Sequence, residues 1–208
     1  MQIQQGQPTL LQGNTRASYR AFKRFSDVSL SLVALLLTSI FFLVIPILIK
    51  LNSKGPAIYK QERLKKDGVP FMLYKFRSMR IDAEQHGAQW ACANDDRVTT
   101  VGKFIRKTRI DELPQLINIL RGDMSIVGPR PERAVFYDEF EKTVPGFRKR
   151  LAVKPGLTGW AQINGGYDLK PAEKLVYDLE YIEKQSVGFD LKCMIKTVSV
   201  IFTHEGAR

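Results

Sequence analysis

The distribution of apolar and polar residues divides this chain into three parts. Residues 1–18 are rich in Gln, Gly, Asn and Thr and have no periodicity, which predicts a flexible N-terminal tail. Residues 19–51 carry a basic flank with aromatic residues and then a long apolar run. In residues 52–208 short apolar segments alternate with charged ones. We therefore expect a tail, a membrane segment and one cytoplasmic domain.

The apolar run of residues 28–49 contains no charged residue and is long enough to cross a hydrocarbon core of about 30 Å as a helix. Basic residues lie on both sides of it, so the positive-inside rule places both ends in the cytoplasm. This symmetry favours a re-entrant helix, which dips into the membrane and returns, over a spanning helix. A buried core helix is the remaining alternative.

A re-entrant helix needs a break. Pro46 removes one helix hydrogen bond near the C-terminal end of the run, which is not well placed for a symmetric dip. Either the break lies at Pro46 or another residue makes it. The hydroxyl groups of Ser31, Thr38 and Ser39 can bond carbonyls that a break sets free. Ahead of the run, cations such as Lys23 and Arg24 alternate with aromatic rings, a mixture that suits a layer of anionic lipid headgroups.

Beyond the membrane segment, the pattern predicts short strands and several helices. Period-two stretches predict strands at residues 58–60 and 71–76, joined by a Gly-containing turn. Gly- and Pro-rich stretches at 125–131 and 153–160 are expected as loops. Helices are expected over residues 77–89, 113–120, 132–142, 171–184 and 189–202. The predicted fold class is mainly α with a little β: a re-entrant membrane helix plus a membrane-associated cytoplasmic α/β domain.

Charge narrows the range of partners. Lys and Arg total 32 and Asp and Glu total 21, a net charge of +11. Such a balance points to an anionic partner: nucleic acid, a phospholipid surface or a phosphorylated substrate. With two Cys and two His in the chain, neither a zinc site nor a Ser/His or Cys/His nucleophile has much to build from.

Two adjacent carboxylates, Asp111 and Glu112, lie among the cations Arg106, Lys107 and Arg109. An apolar-periodic stretch follows directly, which predicts a helix with Asp111 as its N-cap. A helix N-terminus favours negative charge, so the two acids can simply cap the helix and complete its first turn. The alternative is that they form a catalytic pair.

Other cations are placed where they can meet a phosphate. Period-two alternation puts Lys75 and Arg77 on one face of the predicted strand, although an ordinary strand with a solvated basic face has the same pattern. Two prolines stiffen the segment around Arg130, which suits bidentate phosphate binding and equally suits a sharp turn before a helix.

Taken in series, five motifs of this chain resemble those of the bacterial sugar transferases, the monotopic phosphoglycosyl transferases that act on polyprenol phosphate. The resemblance covers the chain from about residue 23 to its C-terminus and is closest to the small form of the family. The family carries Ser-Pro where its membrane helix breaks, and here that pair falls at Ser39-Ile40, without the proline. The motifs are Lys23-Arg24-Phe25-Ser26-Asp27, Tyr74-Lys75-Phe76-Arg77-Ser78-Met79, Asp111-Glu112-Leu113-Pro114-Gln115, Gly128-Pro129-Arg130-Pro131 and Lys154-Pro155-Gly156-Leu157-Thr158-Gly159-Trp160.

The resemblance implies an activity. Sugar-1-phosphate would pass from a UDP-sugar to undecaprenyl phosphate through a covalent aspartyl-phosphosugar intermediate, with release of UMP. This would be the first membrane step of exopolysaccharide or glycoconjugate synthesis, on the cytoplasmic face of the bacterial inner membrane. The implied partners are the two substrates and the lipids of the inner leaflet, with no nucleic acid; a homo-oligomer stays open.

The resemblance also implies residue roles. Asp111 would be the nucleophile and Glu112 a ligand of Mg²⁺. Substrate phosphates would be bound by Arg106 and Arg130. From the residues themselves we add Lys75 and Arg77 as further phosphate-binding cations, and Trp160 and Gln162 as candidate substrate contacts, with core packing an equal alternative for Trp160. Because cations surround Asp111, we expect its pKa to stay low.

Two other classes of function fit parts of the sequence. A membrane-tethered nucleic-acid-binding protein would use the net charge and the aromatic-basic strand, and a scaffold protein would need no catalysis. Neither explains an acidic pair among cations together with a rigid loop that carries Arg130.

Overall fold

A computed structural model of the chain describes residues 13–85, 87 and 95–203. Within these ranges the chain is mainly helical, with two small pairs of strands, as the sequence predicts. Helix α1 (Ala17–Leu37) begins inside the stretch expected to be a tail, and residues 1–12 of that stretch lie outside the described part.

The apolar run forms two helices, α1 and α2 (Ser39–Asn52), with a bend of 60° between them. No single helix of the described residues is long and apolar enough to cross a membrane, whereas the bent pair passes that test together. The break lies at Thr38, whose main-chain N–H and hydroxyl both donate to the carbonyl of Ala34, at 2.9 and 2.6 Å. A hydroxyl that bonds back to the preceding turn bends a helix.

Pro46 does not make the break: it lies inside α2, where the helix continues through it. Of the two alternatives, the one in which another residue makes the break is confirmed. The break falls beside Ser39, where the resemblance places the Ser-Pro pair of the family, and here Thr38 bends the chain without a proline. The Thr38 hydroxyl bonds a carbonyl, as predicted, but not a freed one, because the Ala34 carbonyl also accepts from Thr38 N–H.

Helix α1 is tied to the rest of the chain by three charged side chains. Lys23 forms an ion pair with Asp190 at 3.0 Å, and Arg24 donates to two main-chain carbonyls at the end of a later helix, at 2.7 Å each. Asp27 is buried and accepts a hydrogen bond from the Ser125 hydroxyl at 3.0 Å. Lys23 and Arg24 thus bind other parts of the protein, which corrects the expectation that they face lipid headgroups.

The strands form two separate pairs. Strands β1 (Ile58–Leu64) and β2 (Pro70–Phe76) make an antiparallel hairpin, as predicted, with Tyr59 opposite Lys75. Strands β3 (Ser125–Val127) and β4 (Gly156–Thr158) pair in parallel where loops were expected. Three-residue strands are too short for a visible period of two, which explains the miss.

The predicted helix at residues 77–89 is wrong for the residues that the structure describes there. Met79 instead bridges Val98, and turns follow over residues 81–85. The main-chain N–H of Arg77 bonds the Ala57 carbonyl at 2.8 Å, so the segment continues the hairpin rather than coiling. Residues 86, 88 and 89 lie outside the described part.

The remaining helices pack around the strands. Their cores join distant segments: Ile45 and Ile49 of α2 pack with Phe76 of β2 and Ile105, so the C-terminal end of the bent pair is fixed to the domain. The later helices begin and end close to the predicted residues where these were given. They are α3 (Thr100–Lys107), α4 (Gln115–Arg121), α5 (Ala134–Thr143), α6 (Trp160–Ile163), α7 (Pro171–Glu183) and α8 (Val187–Thr203).

Candidate active site

The acidic pair lies in a 3₁₀ turn, Ile110–Glu112, between α3 and α4. Arg109 precedes it in the left-handed conformation (φ 59°), which reverses the chain after α3. Helix α4 begins at Gln115 behind Pro114, so the prediction that Asp111 caps this helix is wrong. Both carboxylates are nevertheless buried, with Asp111 6% and Glu112 8% exposed. Two buried acids side by side need partners or protons.

Glu112 has two cationic partners. Arg130 donates to it through Nη2, 2.5 Å from Oε1, and through Nη1, 3.4 Å from Oε2. Lys75 Nζ lies 3.0 Å from the same Oε1. Burial alone would raise the pKa of Glu112, but Arg130 and Lys75 outweigh it and hold that pKa well below its usual range. Glu112 therefore carries a fixed negative charge.

Asp111 has a weaker cationic contact, with Lys75 Nζ at 3.6 Å from Oδ2. Burial raises the pKa of Asp111, and the charge of Glu112 raises it further against the opposing effect of Lys75. This corrects the expectation of a low pKa, which counted the cations and not the burial. Of two adjacent acids, one is held ionised and the other is the more basic, an arrangement that separates their chemical roles.

The loop that carries Arg130 is fixed by the loop that precedes Trp160. Gly128 N donates to the Thr158 carbonyl at 2.9 Å and Gly156 N to the Pro129 carbonyl at 2.8 Å. A Cβ atom on Gly128 would lie 2.4 Å from a main-chain oxygen of the facing loop, and one on Gly156 would lie 2.1 Å from Gly128 N. The two glycine-rich motifs are therefore a single unit in which backbones touch.

A cavity of about 710 Å³ opens in front of the acidic pair. This volume falls in the range of small-molecule sites. Twelve of its lining side chains are Lys or Arg and four are Asp or Glu, so the cavity is strongly cationic. Such a surface attracts a ligand with several negative charges. The lining includes seven of the predicted site residues: Lys75, Arg77, Arg106, Asp111, Glu112, Arg130 and Gln162.

Two of the predicted residues have other contacts. Arg77 lies at the cavity wall, but its terminal nitrogens donate to the carbonyls of Ser53 and Lys54 at 2.8 Å each, where they hold the end of α2. Trp160 is apart from the cavity lining. It is buried beneath α8, donates to Glu180 at 2.8 Å and packs edge-on against Phe189 at 4.9 Å. Its environment is that of a core residue.

The cavity lining also includes cations that the sequence did not single out for the site, among them Arg63, Arg109 and Arg150. Arg63 shares one face of β1 with Tyr59, which lies opposite Lys75. Period-two reading from Tyr59 along β1 would have found it, had the strand been predicted at its full length. Arg150 carried no such signal, because it lies in a short 3₁₀ helix, Phe147–Ala152, where the alternation of a strand does not apply.

The donor set allows a hard divalent cation. The described part of the chain holds no group of three or more His, Cys, Asp or Glu that could form a metal site by itself. Mg²⁺, however, is usually held by one or two carboxylates together with the phosphates of a substrate. Asp111 and Glu112 at a cationic cavity fit that pattern, although an ion on Glu112 would share its oxygens with Arg130 and Lys75.

Comparison with known proteins shows the family of this chain. A family model described as bacterial sugar transferase matches residues 18–204, and the chain belongs to that family. The UDP-N-acetylgalactosamine-undecaprenyl-phosphate N-acetylgalactosaminephosphotransferase of Aeromonas hydrophila is 45% identical over 193 residues, 91% of this chain and 46% of that protein. The UDP-glucose:undecaprenyl-phosphate glucose-1-phosphate transferase of Escherichia coli (strain K12) is also 45% identical over 193 residues, 90% of this chain and 42% of that protein.

Lengths differ among these relatives. The chain spans about half the length of the two proteins just named. It covers more of the UDP-glucose:undecaprenyl-phosphate glucose-1-phosphate transferase of Caulobacter vibrioides, to which it is 39% identical over 193 residues, 89% of this chain and 71% of that protein. The family match over residues 18–204 includes the residues that line the cavity and nearly all of α1 and α2.

Proposed function

We propose that this chain is a phosphoglycosyl transferase that moves sugar-1-phosphate from a UDP-sugar to undecaprenyl phosphate. The observation that carries the proposal is the pair of buried acids with opposite pKa shifts at a cationic cavity. The named relatives act on UDP-sugars and undecaprenyl phosphate, which supports the same substrate classes here. The product would enter exopolysaccharide or glycoconjugate synthesis.

In the first step an Asp111 carboxylate oxygen attacks the phosphorus that carries the sugar. A bond forms between that oxygen and the phosphorus, and the bond from the phosphorus to the bridging oxygen of the diphosphate breaks. UMP leaves with the electron pair, and the phosphosugar stays on Asp111. Aspartyl phosphates are established intermediates in phosphoryl transfer. The more basic of the two acids suits this role, because a carboxylate of higher pKa is the better nucleophile once ionised.

In the second step a phosphate oxygen of undecaprenyl phosphate attacks the same phosphorus. The bond to Asp111 breaks, the carboxylate is restored and the lipid-linked sugar diphosphate leaves. Both steps bring anions together, so the reaction needs fixed positive charge more than a proton donor. Lys75, Arg106 and Arg130 supply that charge at the cavity wall.

Mg²⁺ is part of the proposal. Glu112 would hold the ion together with the substrate diphosphate, and the ion would neutralise charge that develops on the phosphate oxygens. Glu112 suits the task because its carboxylate stays ionised. Arg130, bonded to the same carboxylate, keeps it oriented toward the cavity.

We further propose that the enzyme lies on the cytoplasmic face of the inner membrane, with α1 and α2 as a re-entrant pair. Thirteen large apolar side chains of these helices are exposed, among them Leu36 at 76% and Leu51 at 80%. Helix α8 adds a stripe of exposed apolar residues, Val187, Leu191, Ile195 and Val198. Exposed apolar surface of this extent supports contact with lipid.

A panel of UDP-sugars tests the proposed activity. Purified protein in detergent, with Mg²⁺ and undecaprenyl phosphate, is expected to release UMP from at least one of them. Asp111→Asn serves as the inactive control. The proposal would be contradicted if no UDP-sugar of the panel yields UMP although a cooperative thermal unfolding transition shows that the protein is folded.

A further inference from the structure

One residue of the cavity wall, Arg150, belongs to an ion pair that the proposed reaction does not use. Arg150, in the 3₁₀ helix Phe147–Ala152, donates through Nε to Asp178 of α7 at 2.6 Å. Each side chain is 1% exposed. A buried ion pair gains little stability over a pair of apolar residues, because both charges must leave water. Its presence here indicates a structural task that needs this geometry.

The second contact of Arg150 shows what that task is. Its Nη2 donates to the main-chain carbonyl of Arg130 at 3.0 Å. The guanidinium also stacks on the Phe147 ring, with Cζ 4.6 Å from the ring centre, so its plane is fixed. A continuous path therefore runs from Asp178 through Arg150 to the backbone of the residue whose side chain binds Glu112.

The loop around Arg130 depends on such contacts. Pro129 and Pro131 have no N–H, so the loop has few donors with which to anchor itself. Instead, three consecutive carbonyls of the loop accept hydrogen bonds. The Pro129 carbonyl accepts from Gly156 N at 2.8 Å, the Arg130 carbonyl from Arg150, and the Pro131 carbonyl from Arg63 Nη1 at 3.1 Å. The middle anchor is the one attached to Arg130 itself.

We propose that Arg150, held by Asp178, is a positioning residue that sets the place of the Arg130 guanidinium at the acidic pair. Arg150 reaches its two partners from separate nitrogens of one rigid plane, Nε for the carboxylate and Nη2 for the carbonyl. A lysine has the same charge, but all its donors lie on one flexible nitrogen, so it cannot hold both partners in these positions. Arg150 Nη1 and Asp178 Oδ1 are buried without a hydrogen-bond partner, so this ion pair does not satisfy all of its polar atoms. What it does provide is one guanidinium that bonds both the Asp178 carboxylate and the Arg130 carbonyl. The inference rests on the proposed function, in which Arg130 binds substrate phosphate.

A double-mutant cycle tests this role, with the affinity for UDP measured by calorimetry beside kcat and KM. Arg150→Lys is expected to lower kcat/KM on the order of 10- to 100-fold and to weaken UDP binding, because small displacements of a catalytic group are costly. In an Arg130→Ala background, Arg150→Lys is expected to change neither value further. Since UDP binding is read directly, the cycle does not depend on residual turnover.

Two matched variants complete the cycle. Arg148→Lys lies two residues away in the same segment, with an exposed ion pair to Asp138, and is expected to leave kcat/KM and UDP affinity unchanged. Asp178→Asn keeps the shape of the partner and is expected to show a weaker form of the Arg150→Lys effect, also absent without Arg130. It replaces Arg150→Lys in the cycle if the lysine variant does not fold.

The outcomes separate cleanly. If Arg150→Lys lowers kcat/KM and UDP affinity equally in the wild-type and Arg130→Ala backgrounds, or in neither, the positioning role is overturned. The proposed function is unaffected in that case as long as the wild-type protein is active. A folded wild-type protein that neither binds UDP nor releases UMP would overturn the proposed function and this inference with it.

Discussion

Arg130 binds Glu112 through both of its terminal nitrogens, at 2.5 and 3.4 Å, whereas Lys75 is the nearer cation to Asp111, at 3.6 Å. This asymmetry gives two adjacent acids opposite pKa shifts. From their spacing alone, either could be the nucleophile. The bidentate contact favours Asp111, because it commits Glu112 to the role of a fixed anion.

Asp111→Asn is expected to abolish transfer without loss of stability at neutral pH. Removing the nucleophile should lower the rate on the order of 10⁴-fold or more. The folded state raises the pKa of Asp111, so it favours the protonated form. That contribution to stability is present below the unfolded pKa of about 3.9 and is lost as the pH rises through the folded value. At pH 7 the ionised side chain therefore lowers stability, and the amide relieves this.

Thermal unfolding of wild type and Asp111→Asn at pH 7 and below pH 4 checks the sign. The variant should unfold at an equal or higher temperature at pH 7, and the difference should shrink in acid. A lower unfolding temperature at pH 7 would show that Asp111 is stabilised as an anion, contrary to the effect of its burial.

Glu112→Gln, unlike Asp111→Asn, is expected to lower the stability of the protein at pH 7. It leaves Arg130 and Lys75 without their shared anion, a loss of about 3 kcal/mol for a buried pair at pH 7. The folded pKa of Glu112 is depressed, so its contribution is present above the unfolded pKa of about 4.3 and is lost as the pH falls through the folded value. Urea unfolding at pH 7 and in acid measures this, and a variant as stable as wild type at pH 7 would refute it.

Gly128→Ala is expected to destabilise the protein and to lower activity together. Its Cβ would lie 2.4 Å from the Lys154 carbonyl oxygen, so the loop that carries Arg130 must move away from its neighbour. We expect a loss of about 2 kcal/mol, as for other forced contacts in packed regions. Gly188→Ala in α8 is the control: a Cβ there meets nothing within 4 Å, and the helix should gain slightly. Similar unfolding temperatures for the two variants would argue against the close backbone contact.

Single cysteines at Ser18 and Ser53 test the re-entrant arrangement, since Ser18 lies in the first turn of α1 and Ser53 directly follows α2. With Cys92 replaced by Ser, a membrane-impermeant maleimide should label both positions from the cytoplasmic side of oriented vesicles. Cys193 is buried and serves as an internal control for unfolded protein. Labelling of the two positions from opposite sides would establish a spanning helix instead.

The hairpin and the helices α4, α5, α7 and α8 could be predicted from the sequence because their periodicity is local, whereas the helix expected at residues 77–89 is wrong. The cations of the site were also found, since Lys75 and Arg130 lie in distinctive stretches. The shift at Asp111 could not be predicted, because burial depends on how the turn packs between α3 and α4. For the same reason the sequence could not decide between a substrate contact and core packing for Trp160: an aromatic residue in a Gly-rich stretch has no local sign that α8 covers it.

The failure to find β3 and β4 had a wider consequence. Without that pairing, the loops at Gly128 and Gly156 read as two independent motifs, although their backbones are in contact. Likewise, the contact between Arg150 and the Arg130 carbonyl joins residues 20 positions apart through a bond that no periodicity reveals. Such relationships come from tertiary structure alone.

The central claim is that Asp111 forms a covalent bond to the phosphosugar. It is tested most directly by mass spectrometry of the protein incubated with a UDP-sugar and Mg²⁺ but no lipid acceptor. The account predicts a gain of one sugar phosphate, located on the peptide that contains Asp111, absent from Asp111→Asn and removed when undecaprenyl phosphate is added. Efficient UMP release and transfer to lipid without any such adduct, or an adduct on Glu112, would contradict it.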